Sequence, residues 1–176
     1  LSIGQAIGDY EGMRLSLGGL APLAADTDAL RALDLYERSL KSFEAIGDRA
    51  EEARVLAEVA LVHLGAADSA AARRRLHGAV RAYLDIGSVR GVGLAILGLA
   101  AVEAQELNHE TAATIAAAGE RYVQQQGVVN VYTEEAPGFD LVQQSRAALD
   151  AEVLERASSR GAGLSIDEAV GLSAVR

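Results

Sequence analysis

A chain of 176 residues, half of them hydrophobic, is long enough to bury a core of its own. Only 4% of the residues are aromatic, with two Phe and no Trp, so that core must be assembled from Ala, Leu, Val and Ile, side chains that let helices approach closely. Twenty-five acidic against 16 basic side chains leave a formal net charge of −9, which excludes a general grip on a phosphate backbone, and the lack of cysteine excludes a disulfide framework, thiol catalysis and a Cys-ligated metal.

In chain order, the first signal is a recurring tetrapeptide. Ala6-Ile7-Gly8-Asp9 returns as Ala45-Ile46-Gly47-Asp48 and as Asp85-Ile86-Gly87-Ser88, and Gly127 stands where a further copy would fall. The last three glycines are 40 residues apart, and Gly8 lies 39 before Gly47. A period near this length marks helix–turn–helix units stacked on one another. Glycine closes a helix because it accepts the left-handed backbone of the final turn, and Asp48 or Ser88 can then cap the next helix. Gly19-Leu20-Ala21 matches Gly98-Leu99-Ala100, with Pro22 where Ala101 stands later. The first helix is therefore predicted to kink or stop at Pro22. The chain starts at Leu1, in register with Leu40, while Ile7 is in register with Ile46. These first residues are expected to be the tail of a helix that begins upstream, in a longer protein.

From Arg49 to Leu64, Leu56, Val59, Ala60 and His63 follow helical spacing, with Glu51, Glu52, Arg54 and Glu58 mainly on the other side. Asp68-Ser69 restarts a helix whose stripe is Leu76, Ala79, Val80, Tyr83 and Leu84, while Arg73, Arg74, His77 and Arg81 are expected to stay polar. Each unit thus reads as helix, short turn, longer helix, Gly. The basic run Arg73-Arg74-Arg75 is read as a solvated helix face. Val89 to Leu107 is apolar almost all round, through Val92, Leu94, Ile96, Leu97, Leu99 and Val102. Its most apolar stretch, Gly91 to Val102, falls short of the roughly 20 residues needed to span a bilayer. No basic start followed by a long apolar core marks a signal peptide. A cytoplasmic location without membrane contact is expected.

After Gly127 the period fails. Val128 to Tyr132 is short and β-prone and is predicted to be an extended connector. A helix is predicted from about Pro137, whose ring suits a first turn, to about Leu149, and another from Ala151 to Ser159. Gly161-Ala162-Gly163 is expected to break the chain, and Ser165-Ile166-Asp167-Glu168 reads as a capping box opening a last short helix. The predicted fold is all-α: about three helical hairpin repeats over residues 1–127, the first helix truncated, then a connector and helical C-terminal cap over 128–176.

Catalytic patterns fail on inspection. Gly87-Ser88-Val89-Arg90-Gly91-Val92-Gly93 has glycines like a phosphate loop, but its repeat mate is Gly47-Asp48-Arg49-Ala50-Glu51-Glu52-Ala53, so it reads as a helix junction. His63, His77 and His109 lack the i, i+4 spacing of a helical zinc site. Glu134-Glu135 with Asp140 is better explained by a helix dipole than by acid–base work. No enzyme, cofactor or metal is expected in these residues.

The repeats look like tetratricopeptide repeats in the variant with a longer second helix, with Ala60 and Ala72, then Ala100 and Ala112, at the close-contact positions. Ala112 to Glu120, Gly127, Pro137, Ala147-Ala148-Leu149 and Leu164-Ser165-Ile166-Asp167-Glu168-Ala169-Val170 follow in an order that resembles the C-terminal helical-repeat region of large bacterial ATP-dependent regulators of the STAND type. These include LuxR-type transcription activators and relatives with an N-terminal nucleotide cyclase domain. Their closing motif LS-x-EEAV reads LSIDEAV here, and the resemblance covers residues 30–172. It implies an ATPase module upstream, often a DNA-binding helix-turn-helix downstream, and a repeat region that serves as sensor arm or partner platform. No Gly-x-x-x-x-Gly-Lys-Ser/Thr loop lies in this chain.

In such a superhelix the first helix of each unit lines the concave wall. That register places Arg54, Ala57, Glu58 and Leu61, with Leu94, Leu97, Ala101, Ala104 and Gln105, on the partner-binding surface. The expected partner is a protein or the parent's own upstream domain, with no nucleic-acid contact. Two alternatives stand beside it: self-association into a homodimer, and a small-molecule sensor pocket between the stack and the Val128–Tyr132 connector. The apolar helix has a second reading, as a middle helix simply covered by its neighbours.

Overall fold

In the computed structural model, residues 29–129 and 131–173 are described, and all their regular structure is helical. The expectations for Leu1, Gly8, Gly19 to Ala21 and Pro22 lie outside the described residues. Among the described residues eight helices follow in order: α1 (Ala29–Ile46), α2 (Arg49–Gly65), α3 (Ser69–Asp85), α4 (Val89–Gln105), α5 (His109–Gln125), α6 (Phe139–Ala147), α7 (Ala151–Ala162) and α8 (Ile166–Leu172).

The period is finer than the glycines alone disclose. Helices α2 to α5 each span 17 residues, so neither member of a hairpin is longer, against the expectation of a longer second helix. Left-handed backbone recurs every 20 residues, at Gly47, Ala67, Gly87, Leu107 and Gly127. Each of these residues closes the same motif. The following N–H reaches back five residues, from Asp48 to Phe43 O (3.0 Å), Asp68 to His63 O (2.9 Å), Ser88 to Tyr83 O (2.9 Å), Asn108 to Glu103 O (2.9 Å) and Val128 to Val123 O (3.0 Å).

The residue that ends one helix also starts the next. Asp48 accepts from Glu51 N, Asp68 from Ala71 N and Ser88 from Gly91 N. This confirms Gly87 to Gly93 as a helix junction. At the fifth turn the motif closes, but Val128 has no side-chain acceptor to offer. No helix restarts there, and the described residues from Val128 to Gly138 form no helix or strand.

Packing radiates from α4. Val92, Ala95, Ile96, Leu97, Leu99, Ala100, Ala101 and Val102 are all fully buried. Helix α4 packs on α3, α5 and α6, and touches α2 and α8. Glycines on α4 let neighbours in: Leu76 of α3 sits over Gly98, where a Cβ would come within 2.7 Å of it, and Tyr83 sits over Gly91. A second cluster, Ala32, Tyr36, Leu40 and Phe43 with Val55 and Val59, joins α1 to α2. Helix α2 buries one face there and another, through Ala60 and Leu64, against the α3–α4 core.

Beyond Gly127 three details differ from the sequence reading. Helix α6 starts at Phe139 behind the left-handed N-cap Gly138, so Pro137 lies outside the first turn. It also ends at Ala147, short of Leu149. Helix α7 continues through Gly161 to Ala162, because Gly161 is buried face-on against the Thr114 carbonyl and Ala117 of α5. That glycine permits close helix contact instead of stopping the chain. The capping box of α8 is present: Glu168 N donates to Ser165 Oγ at 3.3 Å, and Ser165 N to Glu168 Oε2 at 2.8 Å.

Candidate functional site

The expected partner surface divides. Leu61 and Gln105 meet in one open cleft of about 510 Å³, lined also by Leu64, Gly65, Glu134 to Gly138, Asp140 and Leu141. Arg54, Ala57 and Glu58 lie half-buried further up α2, where Arg54 pairs with Glu51 at 2.6 Å and with Glu58. Leu94 is half-buried. Leu97, Ala101 and Ala104 are buried and face no solvent.

Their burial corrects the expected wall. The chain after Gly127 folds back over α4, and Gly138 settles so close that an added Cβ would stand 2.6 Å from the Ala101 Cβ and 4.0 Å from Leu97 O. Val142 and Phe139 of α6 join the same core. For these three residues, cover by a neighbouring element is the reading the structure supports.

The connector also fills the space where a small-molecule pocket was considered. Tyr132 donates to Gly93 O at 3.0 Å, and its ring end sits in a notch over Gly119. Val131, itself buried, would touch a Cβ on Gly93 at 3.0 Å. Burial pushes the Tyr132 phenol far above its ordinary value, so it stays neutral.

The cleft has an apolar floor and an acidic rim. Buried and half-buried Leu61, Leu64, Ala136 and Leu141 supply the floor, and exposed Glu134, Glu135, Pro137 and Asp140 the rim. Among the described residues no Lys, Arg or His lines it. Gln105 is held in place, donating to Leu64 O at 3.0 Å and accepting from Ser69 Oγ at 3.3 Å.

A buried polar cluster lies at the same end of α4. Arg73, expected on a solvated face, is only 7% exposed. Its Nη2 donates to Glu103 Oε1 (3.1 Å) and Glu106 Oε2 (2.6 Å), and its Nε donates to Ser173 Oγ (3.1 Å). Glu103, 3% exposed, also accepts from Asn108 Nδ2 at 2.9 Å. That engagement explains why Asn108 makes no side-chain cap for α5. Burial works against the Arg73 charge, but its hydrogen bonds to Glu106 and Glu103 outweigh it and hold the guanidinium above its ordinary value. His77 Nε2 lies 3.2 Å from Ser173 O, and burial lowers its pKa, with Arg73 and Arg81 adding to the effect.

The other histidines are also engaged locally, His63 Nδ1 3.5 Å from Asp68 Oδ2 and His109 Nδ1 2.8 Å from Ser145 Oγ. Among the described residues no group of three or more His, Cys, Asp or Glu is arranged to hold a metal ion. No helix among them is long and apolar enough to cross a membrane.

The described residues therefore define an all-helical, repeat-like protein that carries an open, acid-rimmed cleft, beside other open depressions, and a buried polar clamp. No family model matches the chain, and neither a curated protein nor a solved structure is significantly similar to it.

Proposed function

We propose that this chain is a non-catalytic interaction or sensor domain of a larger bacterial signalling or transcriptional regulator, a tetratricopeptide-like superhelix of the STAND and LuxR-type class acting in the cytoplasm. Its concave side receives a protein partner or the parent's own upstream domain. The observation that carries this reading is the cleft itself: Leu61 and Gln105, assigned to the concave wall by sequence register, line one open depression with an apolar floor. A ligand that grips this cleft more tightly in one conformation of the parent biases the upstream switch by that difference in affinity.

The test is a partner isolated from cells on the tagged chain, identified, purified and bound again in isolation. Leu61→Asp is expected to weaken that binding at least tenfold while helicity and the unfolding midpoint are kept. Unchanged binding by the folded variant would remove the cleft from the interaction.

A further inference from the structure

Resting on that assignment of the cleft, we infer the chemistry of its occupant: a short amphipathic segment carrying Lys or Arg. Carboxylates alone would not define a site, but here they stand beside apolar side chains in one cleft, and no cation among the described residues balances them. Glu134, Glu135 and Asp140 are exposed and form no ion pair among the described residues, whereas Arg54, Arg73, Arg75 and Arg146 are each committed to a carboxylate elsewhere. No cation among the described residues lines the cleft.

An acidic segment would meet three like charges at the rim. A wholly apolar one would cover the floor and leave the rim carboxylates beside it, partly stripped of water. A segment with Leu-like residues on one face and Lys or Arg on the next satisfies both surfaces, as in helix-in-groove recognition. The overall charge of −9 adds long-range attraction for such a segment.

The probe is a fluorescein-labelled 16-residue peptide of Leu, Ala and Lys in amphipathic order, titrated by anisotropy beside an analogue with Gln for every Lys. Binding of the Lys peptide, at least tenfold tighter than the Gln analogue and weakened by added salt, is expected. The triple variant Glu134→Lys, Glu135→Lys, Asp140→Lys should lose at least tenfold in affinity, and so should the gentler Glu134→Gln, Glu135→Gln, Asp140→Asn if the first fails to fold. Asp34→Lys, Glu44→Lys, Glu155→Lys changes net charge equally on other exposed surface and should lose less than threefold. Equal losses in the two Lys triples would show attraction to net charge alone and overturn the inference. Equal binding of both peptides, abolished by Leu61→Asp, would overturn the basic occupant and leave the cleft standing. Binding of neither peptide also overturns the inference, and the partner experiment with Leu61→Asp then judges the cleft separately.

Discussion

Ser173 Oγ donates to Glu103 Oε1 across 2.6 Å, and this bond joins the end of α8 to a helix 70 residues earlier in the chain. Arg73 Nε donates to the same hydroxyl, so one buried oxygen ties the C-terminal cap to both α3 and α4. Removing one member of such a cluster leaves the others buried without partners. Arg73→Ala should destabilise the chain by about 3–5 kcal/mol, and Ser173→Ala by about 1–3 kcal/mol. The double change Arg73→Met, Glu103→Leu should lose much less than the sum of its single changes, because it removes both charges together. Urea unfolding of these three variants and of the single changes Arg73→Met and Glu103→Leu measures all of this.

His77 makes part of that stability depend on pH. Its folded pKa is depressed, first by burial, so below the ordinary value of about 6.5 the unfolded chain takes up the proton more readily than the folded one. The contribution is fully present above pH ~6.5 and is lost as pH falls toward the lowered folded value. Urea midpoints at pH 7.5 and 5.5 should differ more for the wild type than for His77→Gln. An equal pH slope in the two proteins would mean the ring titrates freely.

The 20-residue spacing of left-handed turns predicts opposite signs for similar substitutions. Leu107 holds φ 63° while 74% exposed, and Ala67 holds φ 57°. Leu107→Gly and Ala67→Gly relieve this strain and should be neutral or stabilising by up to about 1 kcal/mol, after the added freedom of the unfolded glycine is subtracted. Gly87→Ala meets no atom within 4 Å but adopts φ 68°, and should lose about 1 kcal/mol. Thermal midpoints of the three variants decide the matter.

Gly161 and Gly163 stand two residues apart with different fates. A Cβ on Gly161 would run into the Thr114 carbonyl, which is backbone and cannot step aside, so α7 must lift from α5. Gly161→Ala should be destabilising by about 1–3 kcal/mol. A Cβ on Gly163 would make only ordinary contact with Arg160 O at 3.4 Å, and the φ there is −91°. Gly163→Ala should change stability by less than about 1 kcal/mol. Equal effects in chemical denaturation would contradict the close α5–α7 packing.

Helix content and the turns at Gly47, Gly87 and Gly127 were legible because each carries a left-handed glycine, followed at the first two by a capping side chain, Asp48 and Ser88. Ala67 and Leu107 hid the half-period, since neither residue advertises a positive φ. Arg73 was misplaced by its company in a basic run, although it lies three residues before Leu76 on the buried stripe, a spacing that signals burial. Glu103 was visible as one of only two charges in α4, with Arg90. That neighbours cover Leu97 and Ala101 was one of two sequence readings, but which segment does so was not legible: after Gly127 no repeat register remains, and Val131, Tyr132 and Gly138 are placed by tertiary fit to Gly93, Gly119 and Ala101. Leu61 on α2 and Gln105 on α4 line one cleft, whereas Leu97 and Ala101 of the same α4 are buried.

The most direct measurement is a map of backbone amide shifts in the isotope-labelled chain as the purified partner is added. Changes concentrated at Leu61, Leu64, Gln105 and residues 134–141 are expected, with α7 and the outer face of α1 unmoved. Changes confined to α1 or α7, with the cleft amides silent, would contradict the assignment of this surface.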